Sequence, residues 1–404
     1  KLAEGGVFGQ WMQTYGMAPE DLRMVYRTFA DVFPDVSLWA VNDSDMLLIG
    51  TTRPQRLRRA DLQAVFAARP IARQDLRELG FMDGYSVMAM YVMPKAALLK
   101  MAGEAEHNLD DFPRLEFLAP RNLGRETSTL NARLTQAFKV PPIVDDADPD
   151  RDPTGRLDLA LAHGYRAVRD RARAREWVDR ALQKSPMDAE AHILRARLSA
   201  EDSQHHSAAE DLLRAVSGPM RLPDEAVEVA KTLEADEAVR VLRKIRQQDP
   251  RLVEAQVALA DALQRGGHDR QAEAEYRELA RTLPKDARVP FGLGRALLGL
   301  GDYSAALEAF DAGAALGEVS GEFHARRGET LIRLRRYLEA VAAYREALRT
   351  NVESVTWRLN LGISLAASGP DGRSEAEQRF REVLAMDSAN TRAWEELHNL
   401  GARF

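Results

Sequence analysis

No cysteine occurs among the 404 residues, which excludes disulfides, thiolate metal centres and cysteine nucleophiles. Long apolar runs are missing as well. The most apolar stretch, "YSVMAMYVMPKAALL" (85–99), is interrupted by Pro94 and Lys95 and falls short of the ~20 residues that cross a bilayer. Nor does one sign of charge dominate: 56 basic residues face 62 acidic ones, for a net charge of −6. Neither half of the chain is basic, so the electrostatic footprint of a nucleic-acid or anionic-membrane binder is absent. Glycine-rich phosphate loops of the G-x-G-x-x-G or P-loop kind are absent too. What is present is ordinary globular material, with 29% charged and 45% hydrophobic residues. The length exceeds the roughly 250–300 residues at which a single core stops growing, so two or three domains are expected.

The second half repeats itself. Gly294, Gly328 and Gly362 recur every 34 residues, and Ala260 stands 34 before Gly294. Ala272, Ala306 and Ala340 keep the period, as do Tyr276, Phe310 and Tyr344. Ala376 and Phe380 follow at 36, because "ASGPDGRSEAE" carries two extra residues. Pro186, Pro250 and Pro284 punctuate the series, and the 64-residue gap between the first two marks one shortened unit. Such a period is the mark of a solenoid. Small residues let antiparallel helices approach, so Gly294 is expected to face Ala306, with the aromatic filling the gap to the next hairpin. No hairpin buries its apolar face alone, so stacking is required. The stretches "GLGRALLGLGDYSAALEAF" and "RRGETLIRLRRYLEAVAAY" resemble the tetratricopeptide (TPR) repeat, a helical hairpin with these small and aromatic positions. The expected fold class is mainly α: a TPR helical-hairpin solenoid preceded by a truncated α/β Rossmann-like segment of order strand, helix, strand, strand. Seven units are expected at 155–188, 189–222, 223–252, 253–286, 287–320, 321–354 and 355–390, with "TRAWEELHNLGARF" (391–404) as a capping helix.

The TPR resemblance implies a protein or peptide partner on the concave face of the array. By its register that face carries Asp261, Arg265, Phe291, Arg295, Glu329 and Arg333. These six mix both charges with one aromatic and do not reproduce the Lys/Asn clamp by which some TPR proteins hold a terminal carboxylate. Arg166, Arg169, Arg171, Arg173 and Arg175 form a basic run at the first hairpin. Asp170, Glu176 and Asp179 interleave with it, and a solvated hairpin tip is expected rather than a phosphate patch. His205 and His206 are expected on a second solvated tip.

In the first part, "GGVFGQW" reads as a turn and strand, and "APEDLRMVYRTFADVF" as an amphipathic helix with Pro19, Glu20 and Asp21 in its first turn. "VSLWAV" and "DMLLIGT" read as two strands joined by a polar turn. This order resembles the closing part of the Rossmann-like sheet of S-adenosylmethionine-using enzymes. Within that group, "GGVFGQWMQTYGMAPEDLRMVYRTFADVFPDVSLW" and "NLDDFPRLEFLAPRNL" (108–123) most resemble spermidine synthases and their bacterial spermidine synthase-like relatives, over residues 1–125. The resemblance implies that the chain opens at the fifth strand and lacks the cofactor-binding half. It also implies that this portion does not itself catalyse. The intact protein would be an aminopropyltransferase of polyamine biosynthesis using decarboxylated S-adenosylmethionine. Gln10 matches the family's strand-end glutamine beside the polyamine pocket, whereas "AVNDSDM" (40–46) stands where the family has Pro-Thr-Tyr-Pro. Some relatives carry membrane spans ahead of the synthase domain, which implies a membrane-attached parent with this portion cytoplasmic. Two alternatives stay open: an S-adenosylmethionine-dependent methyltransferase tail with the same strand order, and a purely non-catalytic TPR scaffold.

Other polar clusters read as structural. His107, Asp110 and Asp111 match no zinc spacing and have Arg114 and Arg121 as charge partners. Trp11, Tyr15 and Trp39 are expected in the core. Residues 126–154 are expected to form a helix and a linker, the stretch "KVPPIVDDADPDRDPTG" (139–155) being extended and poorly packed.

Overall fold

The computed structural model describes residues 2–42, 44–109, 127–217, 223–317 and 319–401, whose contacts gather into two compact units, 1–202 and 203–404. The first unit is built on a sheet. Strand β1 (Val7–Gln13) leads into helix α1 (Pro19–Val32), then β2 (Asp35–Ala40) and β3 (Asp45–Thr51). Pro19 sits in the first turn of α1, and Glu20 and Asp21 place negative charge at its positive end. A fourth strand, β4 (Tyr91–Pro94), completes the order β1-β3-β2-β4 with every neighbouring pair antiparallel. Hence β1 and β2 run parallel to each other on either side of β3. Alternation along the strands turns Met12, Val36, Leu38, Met46 and Leu48 to one face. There they form a core with Leu22, Tyr26 and Phe29 of α1 and with Leu98 and Met101 of α4 (Lys95–Ala102).

The apolar run at 85–99 is explained by this core. A 3-10 turn at Ser86–Met90, β4 and α4 follow one another, and Tyr91, Val92 and Met93 are all buried. Among the described residues no helix is long and apolar enough to cross a membrane. Trp39 is half-buried, edge-on to Tyr91 at 5.3 Å. Trp11 and Tyr15 differ from the expectation: they are 50% and 54% exposed, because β1 is an edge strand and Trp11 lies on the face away from α1.

Residues 139–155 also depart from the expectation. Val140 donates to the Val92 carbonyl and Asp145 to that of Leu57, both at 2.9 Å, while Val144 and Ala147 are buried. Asp146 accepts from the backbone N–H groups of Arg59 and Ala60, the first residues of α2 (Arg59–Ala68). Asp152 accepts from Leu157 N–H at 2.8 Å in the first turn of α6 (Arg156–Ala167). Asp146 and Asp152, which made the stretch look loose, thus cap helix starts, while Asp150 pairs with Arg180 at 2.6 Å. Between these segments lie α3 (Pro70–Glu78) and α5 (Ser128–Ala137).

The core continues past this stretch. Leu157, Leu161 and Tyr165 of α6 and Val178 of α7 (Arg171–Lys184) share a cluster with Tyr85, Met88 and Ala89. A Cβ on Gly164 would come within 2.7 Å of Ala89, so the glycine is what lets α6 reach the 3-10 turn. Helix α8 (Ala189–Glu201) ends the unit.

The second unit is a series of antiparallel helices: α9 (His205–Ala215), α10 (Pro223–Lys231), α11 (Ala235–Gln248), α12 (Val253–Arg265), α13 (Asp269–Thr282), α14 (Arg288–Leu300), α15 (Tyr303–Ala315), α16 (Gly321–Arg333), α17 (Tyr337–Thr350), α18 (Val355–Ser368), α19 (Arg373–Met386) and α20 (Thr391–Asn399). From α12 onward each helix packs on the next, and α12, α14, α16 and α18 also touch in sequence. Left-handed residues recur in the turns inside the hairpins: Gly267, Gly301 and Arg335, each 34 apart. The repeated small residue has a different partner from the expected one. A Cβ on Gly294 would lie 2.6 Å from Phe310, one on Gly328 2.8 Å from Tyr344, and one on Gly362 2.6 Å from Phe380. The glycine makes room for the aromatic ring of its own hairpin, not for Ala306.

Candidate functional site

A groove runs along the first helices of four successive hairpins, α12, α14, α16 and α18. Helical spacing turns Asp261, Arg295 and Glu329, equivalent positions 34 residues apart, toward it. Arg295 meets Asp261 at 2.6 Å, and the buried Tyr276 donates its hydroxyl to the same Asp261 oxygen at 2.6 Å. Burial is the main cause that raises the Tyr276 pKa, and the adjacent Asp261 carboxylate adds to it. Phe291 lies beneath the Arg295 guanidinium at 5.2 Å while also packing on Phe310 and Phe323 at 6.0 Å. It is therefore half core residue, half platform.

The other three candidates fare differently. Arg265 donates to the Leu233 carbonyl at 3.2 Å, so it fastens the turn after α10. Glu329 accepts from Arg326 at 3.3 Å. Arg333 lies over the Tyr303 ring at 6.0 Å. The structure thus joins Asp261, Arg295 and Phe291 in one cluster and Glu329 with Arg333 in the lining of one cleft, and sets Arg265 apart.

Two clefts open in the groove. The first, about 420 Å³, is lined by Gln264, Arg295, Gly299, Tyr303, Arg326, Glu329 and Arg333, among others. The second, about 280 Å³, includes Glu322, Arg326, Glu329, Tyr344, Trp357 and Asn360. Arg326 and Glu329 belong to both, so the two are continuous. Sequence reasoning missed Arg326, Tyr344, Trp357 and Asn360. Gly299, at the register position of Arg265 and Arg333, gave no signal of them, because the space a Cβ would take there is filled by the Asp269 carboxylate.

The basic run at the first hairpin is a neutralised tip. Arg166 pairs with Glu201 at 3.0 Å, Arg171 with Asp202 at 2.9 Å, and Arg175 with Asp202 at 2.5 Å. Arg173 pairs with Asp170 at 3.7 Å. His206 meets Glu237 at 2.7 Å on its own surface tip. His107 meets Asp31 at 2.7 Å, and this hydrogen bond is the main cause that holds the Asp31 carboxyl below its usual range. Asp110, Asp111, Arg114 and Arg121 lie outside the described residues, as does most of "NLDDFPRLEFLAPRNL". Among the described residues no group of His, Asp and Glu is arranged to hold a metal ion.

Gln10 stands exposed on β1, its amide donating to the Trp11 carbonyl at 2.8 Å. Just beyond β1, Asn131 of α5 donates to the carbonyls of Thr14 and Met17 at 2.8 Å each. The turn at that strand end is thereby tied down by α5, and it carries no glycine-rich cradle. The described residues do not fit an S-adenosyl group.

The tetratricopeptide repeat family matches residues 159–220, 257–322 and 325–369. Solved structures similar to the chain include a tetratricopeptide repeat protein from Parabacteroides merdae, at 13% identity over 62% of this chain and 100% of that one, with a TM-score of 0.46. Another is Pseudomonas aeruginosa pilF, at 16% identity over 62% of this chain and 99% of that one, with a TM-score of 0.41. A third is the second TPR domain of human RPAP3, solved with an HSP70 peptide, at 22% identity over 27% of this chain and 90% of that one, with a TM-score of 0.25. No curated protein matches the chain. Period, hairpin packing and family match agree that this chain carries tetratricopeptide repeats.

Proposed function

We propose that the repeats of the second unit form a docking module for an extended segment of another protein. The observation that carries this reading is the continuous groove along α12, α14, α16 and α18, whose two clefts share Arg326 and Glu329. Groove-lining side chains offer charges of both signs, amides at Gln264 and Asn360, and a flat apolar surface at Trp357. Such a mixture suits a peptide main chain with varied side chains. Random decapeptides displayed against the full chain test the reading. Recovered peptides should lose binding when Arg326→Glu or Trp357→Ala is introduced, with the circular dichroism unchanged. Recovery of no peptide, or of peptides indifferent to every groove substitution, overturns it.

Strand order favours a second reading for residues 1–125. Parallel β1 and β2 joined through α1, with antiparallel β3 inserted between them, is how a parallel sheet closes on a terminal hairpin. That supports the end of a spermidine synthase-like sheet, with decarboxylated S-adenosylmethionine as donor and a polyamine as acceptor in the intact protein. Gln10 then lies on the strand beside the acceptor. The intact protein incubated with putrescine and decarboxylated S-adenosylmethionine should form spermidine. Methylated product from S-adenosylmethionine points instead to a methyltransferase. No product and no donor binding by calorimetry leave only the non-catalytic scaffold.

A further inference from the structure

Lys139 differs from the other lysines of the first unit in what surrounds it. It follows α5, and its half-buried side chain places the ammonium over the Tyr165 ring of α6 at 5.1 Å. The Arg173 guanidinium of α7 lies over the same ring at 5.6 Å, so one aromatic serves two cations. Tyr165 in turn stacks on Trp177 at 6.4 Å, which adds apolar cover. No carboxylate is turned to Lys139. Asp170, in the turn between α6 and α7, accepts from the Arg173 backbone N–H at 3.1 Å and pairs with its guanidinium at 3.7 Å. Gln136 of α5 accepts from the same guanidinium at 2.7 Å and holds it in place. Lys139 itself makes no ion pair and no side-chain hydrogen bond among the described residues. By contrast, Lys184 pairs with the Asp158 carboxylate, and Lys95 donates to the Phe33 carbonyl at 2.6 Å.

This setting works against the charged form. Burial is the main cause that pushes the Lys139 amine down to about 8, the Arg173 charge adds to it, and Asp170 opposes. Near neutral pH part of this amine is therefore uncharged, the form in which nitrogen is a nucleophile. The side chain is half-buried rather than sealed, so a small molecule can reach it. Conversion to an amide removes the positive charge and with it both the desolvation and the repulsion from Arg173.

We propose that Lys139 is a modification site that takes a small activated acyl group, carried as an acyl phosphate or an acyl thioester. The lone pair of the neutral Nζ attacks the acyl carbon, and the amide C–N bond forms. The acyl C–O or C–S bond breaks with its electron pair, phosphate or thiolate departs, and the amine's proton passes to solvent. No oxidation state changes.

The test exposes the full chain to acetyl phosphate in one arm and to a small acetyl thioester in the other. Initial labelling at each lysine is read by peptide mass spectrometry from about pH 6 to about pH 10, a range that spans the shifted and the ordinary lysine values. Lys285, exposed on the turn after α13, is the internal reference. Near neutral pH Lys139 should label about tenfold or more faster than Lys285. Its rate should level off above about 8, while that of Lys285 keeps climbing. Asp170→Asn keeps a side chain able to cap α7 but removes the opposing charge, so the levelling should move to lower pH. Arg173→Gln should move it to higher pH. In concentrated urea the two lysines should label alike. Faster labelling of Lys139 in either arm supports the site and identifies its donor. Parity with Lys285 in both arms, or a Lys139 rate that climbs without levelling, overturns it. A preference that persists in urea also overturns it, since the fold would then not be its source.

Discussion

At the scale of single residues, the repeat depends on hydrogen atoms where side chains would collide. Gly294→Ala places a methyl 2.6 Å from the Phe310 ring, so either the ring or the helix pair must move. The expected cost is about 1–3 kcal/mol, read as a lower urea midpoint with an unchanged m-value. The opposite sign is expected in the turns. Arg335 sits at φ 58°, where Gly267 and Gly301 do the same task at φ 74° and 80°. Arg335→Gly relieves a left-handed L-residue and should stabilise the unit by about 0.5–1 kcal/mol in the same titration. Periodicity revealed that position 294 had to be small. It did not reveal which ring needed the space, because spacing gives recurrence while the partner depends on how the hairpin's two helices are rotated. The same holds at the groove: Asp261 and Arg295 are legible as opposite charges in successive repeats, whereas the Tyr276 hydroxyl that joins them looked like packing.

At the scale of elements, helix pairs are tied by charges at their ends. Arg288, beginning α14, meets Glu254 of α12 at 3.1 Å and Asp286 at 2.7 Å. The hydrogen bond from Arg288 is the main cause that holds each carboxyl below its ordinary range. A carboxylate whose folded pKa is depressed contributes stability that is complete above its unfolded pKa and is lost as the pH falls through the folded value. The tie between α12 and α14 therefore holds at neutral pH and loosens in acid, below the ordinary carboxylate range. Arg288→Ala should make the acid limb of the stability–pH curve shallower, measured by urea titrations from neutral to acid pH. An unchanged limb would remove the tie from the account. Elements also mark where sequence reading stopped. Helices with a 34-residue period were legible, whereas β4 was not, since Tyr91, Val92 and Met93 are buried one after another and show no alternation. Asp146 and Asp152 read as linker composition because a cap is recognisable only once the helix it serves is known.

At the scale of the whole molecule, β1 carries the most exposed consequence of the fold. Among the described residues it lies at the edge of its sheet, with Val7 60% and Trp11 50% exposed, and "VFGQWMQ" holds neither charge nor proline. Edges of soluble sheets are ordinarily blunted by lysine, proline or a bulge, since unpaired N–H and C=O groups accept any strand presented to them. None of these devices is present along Val7–Gln13, and apolar side chains flank the open backbone on both faces: Phe8 toward α1, Val7 and Trp11 on the other side. Strand pairing should therefore be the dominant route of association for this chain, as light scattering behind size exclusion would register through a mass that rises with concentration. Val7→Lys with Trp11→Lys leaves β3 pairing and the α1 core untouched while placing two charges beside the edge. That double variant should run as a monomer with unaltered circular dichroism. Where a further strand covers β1, as in the synthase-like reading, the wild-type residues should be inert and the same lysines damaging. One pair of substitutions thus separates an edge meant to be covered from an edge that is merely exposed.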